Sequence, residues 1–331
     1  MKKAGIVALI VGVALTLVGA AVVFFAFLSV DFDFAKLNYN ISGGTSENYV
    51  EKTYDVTEKF DSIYIEDSST DIFFEKATGD KVYVESYERE DVNYDVNVSN
   101  KTLYIRRNPK HDVQLFSIAF SEPDTHLTVY LPKKAYDELT IKTASSDISL
   151  SNELEFKSVD INVASGDVAI DSKVSESLSI EAASSDLFIF NTNAKTVKLH
   201  TASGEITLGG LKNSEEVEIN TASGEIEITD IKTKYFKSSS ASGDQSYRNV
   251  VAENKMKLDS GSGEIIFYGC DAEEIDINTA SGEVYGEVLS KKEFITDTAS
   301  GDVDIDHEAY GDNGVCVVKT ASGDITIELS K

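Results

Sequence analysis

Three prolines stand in 331 residues, at positions 109, 123 and 132, and there is no tryptophan at all. Proline removes a ladder N–H, so its absence from the rest of the chain leaves long stretches free to run as paired strands. Cysteine is nearly absent too. Cys270 and Cys316 form no Cys-x-x-Cys, which excludes a disulfide framework and a thiolate zinc site. The four histidines, His111, His126, His200 and His307, are scattered and give no His-x-x-x-His or His-Glu-x-x-His pair. Bases are scarce: 30 against 57 acids, a net charge of −27. Such a surface repels nucleic acid and anionic lipid head groups, and it leaves cationic peptides and divalent cations as the electrostatic partners. No glycine-rich phosphate loop follows a strand and opens a helix.

Charge is missing altogether from one segment. After Lys2 and Lys3, residues 4–30 carry none, and the first acid is Asp31. At about 1.5 Å per residue that run makes roughly 40 Å of helix, enough to span a bilayer with some tilt. Lysines before it and acids after it place the body on the extracytoplasmic side. A cleaved signal peptide, cut near Ala20 or Ala21, is the competing reading, but the apolar run continues through residues 22–28. The expected order is therefore a transmembrane signal anchor over residues 1–30 and a polar tether over 31–50. N-terminal capping coils over 51–138 and a regular array over 139–331 follow.

That array is the dominant feature of the chain. The phrase Thr-Ala-Ser-Gly-Asp/Glu-Ile/Val returns with its acid at Asp147, Asp167, Asp186, Glu205, Glu225, Asp244, Glu264, Glu283, Asp302 and Asp324. Successive intervals are 19 or 20 residues, except the last, which is 22. A fixed period of this length marks a solenoid, in which each coil buries its apolar face only by stacking on its neighbours. Eight and six residues before the acid come apolar positions such as Val159 and Ile161, or Val217 and Ile219. One and three after it come pairs such as Ile206 and Leu208. This is the period-two alternation of two half-buried strands per coil. Ala-Ser-Gly forms the corner between them, where glycine tolerates positive φ. The fold class expected is all-β: a single-domain parallel β-solenoid, right-handed by the crossover rule, of about ten coils behind an N-terminal transmembrane helix. The frame reaches back once, around Asp71. At the other end the chain stops after a strand, with Glu328 and Lys331 expected to guard an exposed edge.

The run Leu127-Thr128-Val129-Tyr130-Leu131-Pro132, then Leu139 to Ile148, then repeated Ser-Gly-acid corners, resembles the putative-adhesin family of bacterial β-strand-repeat envelope proteins. That family includes membrane-anchored LiaG-like members of envelope-stress operons. The resemblance covers residues 50–331 and implies a solenoid displayed on the cell envelope. It carries over no ligand and no catalytic residue.

The residues that stand out are therefore contact candidates. Positions two and four after the acid point outward and are mostly Ser, Thr, Asp or Glu. One coil places Phe188 and Phe190 there, and two later coils place Ile266, Tyr268 and Tyr285. Exposed aromatics in a polar ladder suit a partner protein or wall polymer, unless the N-terminal segment folds over the two phenylalanines. His200 lies between the like positions Glu181 and Asn220 and reads as a solvated surface residue. Ser238, Gln245 and Tyr247 replace aliphatics in one coil and read as a tolerated weak repeat, with a kink or soft spot as the alternative. Ten stacked carboxylates of mixed reach predict weak, non-stoichiometric association with divalent cations, and no cofactor is expected. The function expected is non-catalytic binding or scaffolding on the cell envelope, with a link to its stress response. The alternative is a glycan-processing enzyme that uses a carboxylate pair on the same scaffold.

Overall fold

The computed structural model describes residues 49–90, 92–109 and 125–330. The expected transmembrane helix and most of the tether lie outside the described residues. Among those described, no helix is long and apolar enough to cross a membrane.

Nearly everything described is strand, wound as stacked coils with parallel walls. Like positions of the repeat pair directly: Val159 lies between Leu139 and Leu178, and Val168 between Ile148 and Leu187. The inward column Ile141, Ile161, Ile180, Leu199 and Ile219 is wholly buried, one residue per coil. A one-residue slip of any strand would turn its whole apolar set to solvent, so the period fixes the register. At the corners the coils approach as closely as backbone allows. Gly224 has φ of +158°, and a Cβ there would lie 1.9 Å from the carbonyl oxygen of Gly204, one coil away. Only glycine fits that contact.

The middle of the stack follows chain order, and both ends depart from it. Towards the C-terminus the strand Glu274–Ser281 pairs not with Lys292–Thr298 but with Tyr310–Ser322. Lys292–Thr298 lies on the far side of Tyr310–Ser322. The second strands agree: Ile325–Leu329 sits between Val284–Val288 and Val303–Ile305. The Asp324 coil is thus inserted beneath the Asp302 coil, which is outermost. Because the strands stay parallel while the last step runs backwards along the rod, this turn winds in the opposite sense to the others. The 22-residue interval supplies the extra chain, including a 3-10 turn at His307–Ala309 whose Ala309 is buried. The expectation that Glu328 and Lys331 guard the edge is corrected: the last strand is paired on both sides.

The N-terminal end mirrors this. Ser62–Glu66 and Asp71–Lys76, the first coil in the chain, lie between the Asp147 coil and a coil made of Thr102–Pro109 and His126–Leu131. Beyond that outer coil the walls close with antiparallel strands. Val92–Ser99 pairs with Thr102–Pro109, while Val82–Arg89 joins His126–Leu131 to Tyr49–Val56. A buried polar cluster secures this cap. The Tyr94 hydroxyl donates to Asp67 at 2.6 Å, and Arg107 pairs with the fully buried Glu88 at 3.0 Å.

The coil with Ser238, Gln245 and Tyr247 is not a loosened repeat. Tyr247 donates to Gln245 Oε1 at 2.6 Å, and Gln245 Nε2 donates to the carbonyl of Asp259 at 3.0 Å, so these core polar groups satisfy one another. One coil further, Phe267 fills the space left by Gly286 opposite it.

Candidate binding surface

The corner acids divide by side-chain length. Asp71, Asp147, Asp167, Asp186, Asp244 and Asp324 each accept, through Oδ1, the backbone N–H of the acid one coil on, at 2.7–3.3 Å. Glu205, Glu225, Glu264 and Glu283 make no such bond, because one more methylene carries the carboxylate past the neighbouring N–H. One oxygen of each of these aspartates is thereby committed to a neighbouring backbone, whereas the carboxylates of Glu264 and Glu283 have no hydrogen bond or ion pair among the described residues.

These two glutamates border the second group of outward candidates. Ile266 pairs with Tyr285, and the rings of Tyr268 and Tyr285 lie 5.6 Å apart, inclined at 53°. The Arg248 guanidinium sits 5.7 Å from the Tyr268 ring, so that face already attracts a cation. Glu264, Ile266, Tyr268, Glu283, Tyr285 and Asp324 line one shallow groove of about 170 Å³, with Thr326 at its rim. Desolvation, and after it the carboxylates of Glu328 and Glu287, raise the Tyr285 hydroxyl above its ordinary pKa, so it stays a donor. Thr326 is there only because the Asp324 coil is inserted; chain order would have put Asp304 beside Tyr285.

Phe188 and Phe190 do not join this group. They lie four coils away, roughly 19 Å along the rod. Phe188 is half-buried between Ala169 and Thr207, while Phe190 rests on Gly209 and remains 41% exposed. Among the described residues the N-terminal strands do not close over Phe190. His200 is placed between Glu181 and Asn220, but it is half-buried rather than solvated. Desolvation lowers its pKa, and its Nε2 lies 2.9 Å from the side-chain amide of Asn220. An amide donor there requires the neutral ring.

A second, wider groove of about 460 Å³ runs over the first-strand wall, lined by Ser62, Asp137, Glu138, Ser158, Asp160 and neighbouring serines. Lys157, hydrogen-bonded to Asp137, holds that carboxyl below its ordinary pKa, whereas partial desolvation lifts Asp160 although the residue is exposed. Opposed shifts of this kind suit an acid–base pair. The geometry does not: the Asp137 carboxylate is bound to Lys157 at 2.6 Å, and Asp160 pairs with Thr140, three residues further along, which sets the two Cα positions about 11 Å apart.

Sequence reasoning missed Lys292. It lies in a Ser-Lys-Lys-Glu run that reads as surface, yet its side chain is 2% exposed. Its ammonium pairs with Asp271 at 2.6 Å and donates to the carbonyls of Ala272 and Asn313 at 2.6 and 2.7 Å. The three donors bind across the crossover where the chain passes the inserted coil. The thiols of Cys270 and Cys316 are buried and unbridged, and burial pushes each up to about 12.

Several solved structures resemble the chain, three of them as follows. A putative adhesin from Bacteroides fragilis NCTC 9343 is 15% identical with a TM-score of 0.41, over 86% of this chain and 98% of that one. A putative adhesin from Parabacteroides distasonis ATCC 8503 is 14% identical with a TM-score of 0.46, over the same shares. A protein from that strain described as a putative lipid binding protein is 15% identical with a TM-score of 0.40, over 85% and 97%. No curated protein matches. The model of the Toastrack DUF4097 family matches residues 60–215 and again 211–331, nearly all of the repeat region and its cap. Stacked coils with Ser-Gly-acid corners and a whole-body match of this kind make the chain a member of the Toastrack DUF4097 family, in keeping with its resemblance to putative adhesins.

Proposed function

We propose that the protein is a non-catalytic binding module, held on the outer side of the cell membrane by its apolar N-terminal segment. It engages an envelope protein or a wall polymer through the wall that carries Tyr268 and Tyr285. The observation that carries this reading is the meeting of two touching tyrosine rings with the uncommitted carboxylates of Glu264 and Glu283. Aromatic faces give contact area at small entropic cost, and carboxylates accept from hydroxyl or ammonium donors. The uncharged run of residues 4–30 supports the anchoring, and the likeness to LiaG-like proteins supports a place in the envelope-stress response.

The test uses the full chain in detergent, immobilised and exposed separately to envelope proteins and to purified wall material. Replacing Tyr268 and Tyr285 together by serine should abolish retention, whereas the same change at Phe188 and Phe190 should not. Equal retention by both double variants would overturn the assignment of the surface. Protease added to intact protoplasts should digest residues 49–330; protection of the full-length chain would overturn the topology.

A further inference from the structure

Six large apolar side chains stand exposed among the described residues, and four of them, Leu289, Ile295, Val303 and Tyr310, gather at the C-terminal end of the rod. Two are exposed for different reasons. Ile295 belongs to the outward row of its strand. Val303 points into the core, stacked on the buried Ile325, and is 44% exposed because no coil of the described residues lies on its other side. Ile305 and Phe294, over the buried Ile327 and Cys316, are likewise half-covered. Among the described residues, Lys292–Thr298 and Val303–Ile305 each pair along one edge, so their outer N–H and C=O groups have no strand to bond. The opposite end is finished differently: its last coil is covered by antiparallel strands that bury Val84, Val92 and Tyr94.

We propose that the C-terminal end of the rod is a docking edge for an extended segment of another protein, added as the next strand. Backbone bonds to an exposed edge supply affinity in such an addition, and alternate side chains supply specificity. The end fixes both rows of that partner. Apolar side chains on its inner face would continue the core above Phe294, Val303 and Ile305. Basic ones on its outer face would meet Glu293, Asp297 and Asp304, which are exposed on the outward row. The same acids select against a second copy, whose own would be brought against them. Lys292–Thr298 offers seven residues of edge and Val303–Ile305 three, which limits the added strand to one short segment per wall.

Two synthetic peptides of about seven residues serve as probes, one alternating valine with lysine and the other valine with glutamate. Hydrogen exchange is followed on the full chain in detergent. The lysine probe should slow exchange in Lys292–Thr298 and Val303–Ile305 and leave Tyr49–Val56 and Val92–Ser99 unchanged; the glutamate probe should do neither. Val303→Asp, at a site already open to water, should weaken the lysine probe's protection of Val303–Ile305 by about tenfold or more. Asp304→Lys should reverse the preference at Val303–Ile305 towards the glutamate probe and leave that at Lys292–Thr298 unchanged. If Val303→Asp disturbs the fold, the outward Asp304→Lys decides alone. Protection spread along the whole acidic rod, or a preference indifferent to Asp304→Lys, would overturn the proposal. So would cross-linked pairs of the unliganded chain with these strands already protected, which would make the occupant a second copy.

Discussion

Replacing Lys292 by methionine should open the C-terminal coils while leaving the rest of the rod closed. Methionine keeps most of the apolar stem but removes an ammonium bound to three acceptors: Asp271, Ala272 and Asn313. The side chain of Asp271 is 18% exposed, so its charge would be left largely without water or partner. Breaking one side of a buried pair costs about 3–5 kcal/mol. Asp271 retains the N–H of Ala272 at 2.9 Å, which points to the lower end, about 3 kcal/mol. Energies in a stacked array are carried mainly between neighbours, so the loss should stay local. Hydrogen exchange should accelerate in Lys292–Thr298, Tyr310–Ser322 and Ile325–Leu329 and remain slow in the Asp147 to Glu225 coils. Removing the orphaned charge as well, with Asp271→Asn, should restore part of the protection. Uniform acceleration along the rod, or a local cost below about 1 kcal/mol, would refute the view that this lysine clamps the crossover.

Gly286→Ala should lower the melting temperature by an amount equivalent to at least about 1–3 kcal/mol, since a Cβ there would lie 1.9 Å from Phe267 Cζ; Phe267→Leu in the same chain should relieve it. Asp186→Glu should cost about 1 kcal/mol by withdrawing the acceptor from the Glu205 N–H, whereas Asp186→Asn should cost less, a difference that paired thermal melts would resolve. Burial depresses the pKa of His200, so between its folded and unfolded values the unfolded chain binds more protons; this contribution is full above about pH 6.5 and is lost as pH falls below it. Wild type should therefore lose more stability than His200→Gln between about pH 7.5 and about pH 5.5. Calcium at millimolar concentration should not raise the melting temperature beyond what an equal ionic strength achieves, because six corner aspartates already hold backbone donors; a large specific rise would make the corner a metal site.

The interior of the rod was legible because its signal is repeated. Ile161 alone could be any buried residue, but with Ile141, Ile180 and Ile219 at the same phase it defines a wall and a facing. The outward Tyr268 and Tyr285 were found by the same frame, as exceptions to a polar column. Coil order at the ends was not legible. Thr-Ala-Ser-Gly corners are nearly interchangeable, so parallel pairing alone does not distinguish the Asp302 coil from the Asp324 coil as neighbour to Glu283. The connections decide, and the one trace they leave in the sequence is the longer last interval. Lys292 was invisible for a related reason: a lysine among polar residues reads as solvated until a crossover closes over it. The different behaviour of Asp and Glu at the corners depends on one methylene against a fixed spacing, which emerges only once the stack exists.

The folded-back ends also bear on how such a molecule can change over generations. At each end the coil nearest the chain terminus is held between two others, so losing or adding a unit there would unpick an interlocked set. The middle carries no such constraint, because one coil of 19 or 20 residues meets its neighbours through the same corner and the same walls as the next. Tandem duplication between Asp147 and Glu264 would lengthen the rod by about 4.8 Å per unit and leave both closures untouched. Reach, for this chain, is a quantity that gene duplication can set in steps without redesigning either end.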